Sequence, residues 1–152
     1  MVRFIGLDEG AARHRLSGVG TEIVEVGPEG SDLEVESLAR VLPEGERHVR
    51  GTFEAQPPTP GEEHEAHCAW HTNAVTEAHT INSGLGVFEF WTEEGVVTVV
   101  TEPGDLVVNR GAEHRFLPVV HQQLRLHHSG TADQDFGYVA TGRTPAPWPS
   151  VD

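Results

Sequence analysis

From residue 70 to residue 140 the sequence is cut into short apolar segments by turn signals at near-regular spacing. The segments are "HTNAVTEAHTI", "GVFEFW", "VVTVV", "LVV", "RFLPVV", "QLRLHH" and "FGYVAT"; the breaks include "NSG", "TEEG", "TEPGD", "NRGAEH" and "SGTADQD". Runs of β-branched and aromatic residues of strand length, parted by Gly, Pro, Asn and Asp, predict an antiparallel sandwich or barrel. No repeat of solenoid length competes with that reading.

The flanks are read against this block. Residues 1–30 are Gly-rich and expected to be irregular, apart from "TEIVEVG", which alternates like a strand. "SDLEVESLARVL" predicts a helix capped by Ser31 or Asp32, with Pro43 and Gly45 to stop it. "FEAQPPTPGEE" predicts a loop, and "EEHEAHCAW" a short helix or an irregular approach to the next strand. The Pro-rich "GRTPAPWPSVD" predicts a surface tail pinned by Trp148. At 152 residues the chain fits one domain with one core: an extension over 1–49, a barrel from about 50 to 142, and a tail over 143–152.

Charge and cysteine usage exclude several function classes. Ten basic residues against 24 acidic ones give a net charge of −14, which argues against nucleic acid and against anionic membrane surfaces. The single cysteine, Cys68, rules out an internal disulfide and suits a reducing cytoplasm. No segment has the ~20 apolar residues of a membrane span, and "MVRFIGLDEG" lacks a signal-peptide core.

Ten histidines are many for this length, and several carry a pattern. In "HTNAVTEAH" the residues His71, Asn73, Glu77 and His79 fall on odd positions, one face of a strand if the stretch is one strand. A further His, His114, ends "GDLVVNRGAEH" on a separate segment. His71, Glu77 and His114 make a two-His, one-carboxylate set, the ligand type of non-haem iron oxygenases. Imidazole and carboxylate also suit zinc and nickel, so the ligands alone do not choose the metal. Asn73 reads equally as a weak ligand or a polar group of the pocket wall. His79 reads equally as a ligand or as a group that orients ligands or moves protons.

Other candidates have plainer readings. Phe88, Phe90, Trp91, Phe116, Phe136 and Tyr138 are expected in the core and pocket wall, with Phe88, Phe90 and Phe116 facing substrate. Arg115 and Arg125 are candidates for holding an anionic substrate, with surface placement as the default. His64, His67 and Cys68 lie on a solvated segment that can form part of a pocket lid. His121, His127 and His128 are expected mostly at the surface, with one facing inward.

"GDLVVNRGAEHRF" resembles the second motif of the cupin superfamily: Gly-Asp, an apolar strand, a turn, then His. "HTNAVTEAHTINSGLGVF" resembles the first cupin motif in the form found in acireductone dioxygenases, His-x-His, three residues, Glu, then Gly-x-Gly-x-Phe. The likeness covers about residues 60 to 130 and matches on Glu77, Gly84, Gly86, Phe88 and His114. It implies an all-β cupin jelly roll or antiparallel β-barrel with a short N-terminal helix. It also implies one divalent metal ion per chain, Fe(II) first and Ni(II) or Zn(II) as alternatives, and a homodimer. The activity implied is that of a dioxygenase acting on a small polar metabolite in the barrel.

The chain departs from the family at three places. Asn73 stands at the second His, His79 stands at a usual Arg, and "NRG" is a shorter turn without proline. The expected metal shell is then His71, Glu77, His79 and His114, with Asn73, Glu77 and His79 as the catalytic candidates. The departures keep two other readings open: a redox-inert zinc or nickel isomerase or lyase, and a non-catalytic module that binds a small ligand.

Overall fold

The computed structural model describes residues 2–27, 48–59, 66–128 and 137–151, and the side chains of these except 48–53. The predicted helix over 31–42, His64 and Phe136 lie outside the described residues. No described helix is long and apolar enough to cross a membrane.

Each expected turn signal in the described part ends a strand. Strands form at Arg3–Ile5 (β1), Thr21–Glu25 (β2), His48–Ala55 (β3), His71–Thr72 (β4), Glu77–Ser83 (β5) and Gly86–Thr92 (β6). They continue at Gly95–Thr101 (β7), Asp105–Asn109 (β8), His114–Pro118 (β9), Gln122–His128 (β10) and Val139–Ala140 (β11). Between β5 and β6, Gly84 has φ +81°, and a Cβ there would run into the His121 carbonyl oxygen, so the turn requires glycine. The paired strands are antiparallel and form two sheets, in the orders β1-β7-β6-β9-β4-β11 and β2-β8-β5-β10-β3.

The sheets face one another across a shared core. Phe88, Phe90, Val97, Val99 and Phe116 come from the first sheet, and Ile23, Ile81, Val107 and Leu124 from the second; all nine are buried in one cluster. The alternation of strand side chains sets this parity. Even positions of β6 and β9 point inward, and odd positions of β5 and β8 do so. The opposite parity of the second sheet is also buried, through Ala78, Leu106 and Val108.

Four expectations are corrected. Residues 1–30 are not irregular: Glu9–Gly18 is a helix (α1), capped by Asp8, whose Oδ1 accepts from the Ala11 N–H at 2.9 Å. Its buried Ala12 and Leu16 are four residues apart, a helical signal that the glycine content masked. The N-terminal strands do not pack outside the sheets: β1 pairs with β7 and β2 with β8, each at a sheet edge. His127 and His128 are buried, while His121 is exposed. Trp91, expected in the core and wall, is 38% exposed.

The C-terminal tail lies against the outer face of the first sheet. Arg115 and Glu89 form a buried cross-strand ion pair there, and the Thr98 hydroxyl donates to Glu89 at 2.9 Å. Trp148 covers the Arg115 guanidinium at 3.7 Å, and Arg115 donates to the Ala146 carbonyl at 2.8 Å. Trp148 therefore pins the tail, through a cation–π contact on a buried charge.

Candidate metal centre between the sheets

The stretch 71–79 is not one strand. The backbone breaks over 73–76, so His71 belongs to the first sheet and Glu77 and His79 to the second. The shared strand face expected from the odd positions does not exist. The residues nevertheless meet, because the break turns the chain across the gap between the sheets. His71, Asn73, Glu77, His79 and His114 all line one cavity of about 270 Å³. His71 pairs with His114 across β4 and β9, which puts the two rings 4.3 Å apart. Glu77 faces them from the second sheet, with its Oε2 at 3.8 Å from the His114 Nε2.

The backbone fixes both imidazoles. The His71 Nδ1 lies 2.7 Å from the Ala69 carbonyl, which can only accept, so this nitrogen carries the proton and Nε2 is left with a lone pair. The His114 Nδ1 lies 2.9 Å from the Ala112 carbonyl and 2.8 Å from the Asn109 Nδ2. Asn109 is oriented in turn, because its Oδ1 accepts from the Ala112 N–H at 2.7 Å. Two tautomers of His114 meet these partners; a cation at Nε2 selects the one with the proton on Nδ1, donated to Ala112. Asn109 was not among the sequence candidates. It sits in the short "NRG" turn, where an Asn side chain commonly bonds to backbone two or three residues on.

Burial dominates the charge states. It pushes the Glu77 carboxyl up to about 7, partly offset by the hydrogen bond from the Asn73 Nδ2 to Oε2 at 3.1 Å. It holds His114 down to about 3 and His79 down to about 4, helped in each case by neighbouring imidazoles. His71 is lowered by the same cause. His79 is only half-buried as a residue, but its Nδ1 is buried, and that atom sets its protonation. The set is therefore three neutral imidazoles and one carboxyl that ionises near neutrality, a donor chemistry that fits a divalent cation. As they stand, the described His, Cys, Asp and Glu side chains include no group of three already closed to metal-holding distance.

The apolar wall was only partly legible. Phe88 and Phe116 line the cavity, with rings 4.7 Å apart. Phe90 does not line it and stacks behind His114 at 6.0 Å. Arg125 does not line it either, because it alternates away from Leu124 and Leu126, which do. Arg115, the other anion candidate, is buried on the outer face with Glu89. Tyr138 stacks on His71 at 4.7 Å, and His67, from the turn at Ala66–Cys68, completes the rim.

A larger hollow, about 370 Å³, lies between α1 and β2. Its Arg13 bonds to Glu9 and the Ile23 carbonyl, and its Arg110 sits 3.8 Å from Glu22, so its charges are already engaged. The cavity between the sheets is the candidate site because titratable groups converge there.

No family model and no curated protein sequence matches the chain. Among solved structures, an acireductone dioxygenase from Bacillus anthracis, with a cadmium ion in its active centre, is similar at 16% identity and a TM-score of 0.55. The alignment covers 84% of this chain and 90% of that one. The likeness is one of fold: two antiparallel sheets with one short helix among the described residues.

Proposed function

We propose that the chain is a metal-dependent enzyme of the cupin type, and that a divalent ion is held between its two sheets by His71, His114 and Glu77, with His79 as fourth donor. One observation carries this reading. His71 and His114 each turn Nδ1 to a main-chain carbonyl, which leaves Nε2 as the ligating nitrogen beside a buried carboxyl. Ligating histidines in proteins are oriented in this way by the hydrogen bond on the other nitrogen. A buried carboxylate without a cation is costly, and a bound ion offsets that cost. The fold shared with a dioxygenase whose structure carries cadmium supports the same assignment.

Fe(II) is the ion favoured for oxygenase chemistry; bound, it supplies open positions for substrate and dioxygen. The chain's own part is to hold the imidazoles neutral and to exclude water behind Phe88 and Phe116. Glu77 ionises at about 7 in the metal-free chain and would ligate as the carboxylate. Asn73 donates to Glu77, so its role is to steady the carboxyl rather than to ligate.

Elemental analysis of the untagged full chain and of His114→Ala tests the site. Near-stoichiometric metal in the first and its loss in the second are expected; stoichiometric metal in the variant would overturn the ligand assignment. Turnover that persists under strict anaerobiosis would remove dioxygen from the reaction and leave a Lewis-acid enzyme.

A further inference from the structure

The chain contains no lysine, so its side-chain cations, protonated histidine aside, are ten arginines. Seven of them have described side chains, and none of the seven lines the cavity between the sheets. Arg115 is sealed with Glu89 on the outer face, and Arg125 has the wrong strand parity. Arg143 is held by Glu113, Arg15 by Glu94, and Arg13 and Arg110 belong to the hollow beside α1. Among the lining residues the only acidic side chain is that of Glu77.

Beside Glu77, Asn73, Tyr138 and four histidines, the described lining is apolar. Phe88, Phe116 and Leu124 are almost fully buried, and Leu126 joins them. A cavity of about 150 Å³ lined by such residues is roomy enough for benzene. At about 270 Å³, this one has space for a substituted ring or a branched alkyl group. A carboxylate or phosphate on that part of a ligand would be desolvated with no arginine among the described lining residues to pair it, at a cost of several kcal/mol.

We propose that the cavity selects an uncharged small molecule with an apolar body, which packs on Phe88, Phe116, Leu124 and Leu126 with its polar end toward Glu77 and the histidines, and that it rejects molecules whose body carries an anion. This names the substrate class of the site assigned above, but it rests on the cavity walls and not on the ion. It narrows the small polar metabolite expected from the sequence to a molecule polar at one end only.

The test is a matched pair of probes, 4-methylbenzyl alcohol and 4-(hydroxymethyl)benzoate, which share a hydroxymethyl head and differ in charge at the far end of the ring. Binding to the full chain is read by ligand-observed NMR, as purified and after chelator treatment, with metal content measured on each sample. The neutral probe should bind roughly tenfold or more tightly than the anion in both samples. Leu126→Arg, shown to be folded by circular dichroism, should weaken the neutral probe and strengthen the anion. If that variant does not fold, the wild-type ratio decides. Equal or tighter binding of the anion to the chelator-treated chain overturns the proposal, as does the absence of binding by either probe at millimolar concentration. A neutral preference in a chain that never carries metal would uphold the proposal and sink the metal reading instead.

Discussion

Metal uptake should release one proton, and that proton should come from Glu77. Ligation needs neutral imidazoles and an ionised carboxylate. Burial already keeps His114 and His79 neutral down to about 3 and 4, so neither has to lose a proton at pH 6 or above, and it lowers His71 in the same direction. Glu77 is the exception, because burial raises it to about 7. At pH 6 it is therefore about nine-tenths protonated in the metal-free chain, and at pH 8 about one-tenth. Binding a divalent ion should draw about 0.9 proton from Glu77 at pH 6 and about 0.1 at pH 8. The sign follows: affinity rises with pH up to about 7 and then levels, with a loss of about tenfold, or 1.4 kcal/mol, for each pH unit below 7.

Calorimetric titration with Zn(II) in paired buffers of different ionisation heat measures this release directly. Zinc is redox-inert, and at pH 6 a zinc-bound water largely keeps its protons. Had the three histidines kept their ordinary value of 6.5, uptake at pH 6 would release over two protons. Release of two or more at pH 6, or a release that does not fall between pH 6 and pH 8, would refute the account of burial given above. Glu77→Gln should bring the release at pH 6 close to zero while weakening binding.

Three further outcomes are expected. His79→Ala should lower metal content if His79 ligates, and full metal with reduced turnover would make it a group that acts on protons or orientation instead; elemental analysis beside an activity assay separates the two. Asn109→Ala should weaken metal binding about 10- to 100-fold by loosening the Ala112 main chain, whose carbonyl accepts from the His114 Nδ1, with little change in fold by circular dichroism. Glu89→Ala should cost about 3–5 kcal/mol in denaturant unfolding, since it leaves Arg115 buried at 2% exposure without its partner.

Strands and wall were legible in the sequence where one periodicity governed. The runs that became β6 to β10 are short, apolar and bounded by turn signals, so the strands could be read directly, and Phe88, Phe116 and His114 line one cavity. Legibility failed where parity had to be carried across a break. The stretch 71–79 reads as a strand because four polar residues fall on odd positions, yet residues 73–76 leave the sheet. Glu77 and His79 reach the cavity from one sheet, His71 from the other and Asn73 from the break, so the four share a cavity without sharing a strand face. Arg125 shows the opposite error: its charge suggested a ligand contact, but it lies one residue from Leu124 and Leu126 and so faces away. Asn109 could have been found from the turn chemistry of "NRG", had the turn been weighed for what it bonds and not only for the proline it lacks.

The break at 73–76 changes what a bound ion does to the protein. If all four donors stood on one strand, an ion would stiffen that strand and little else. Here His71 and His114 come from one sheet and Glu77 and His79 from the other, beside the apolar core that the two sheets share. An ion in this cavity ties the two layers together, and its donors are close only when the layers are docked. Uptake should thus be felt as global stability, by about 4 kcal/mol at free metal a thousandfold above Kd. Thermal unfolding with and without Zn(II) measures it. A midpoint that does not move, on a chain shown to carry the ion, would mean that the ion binds the unfolded chain as tightly as the folded one, and the site assembled between the sheets would fall with it.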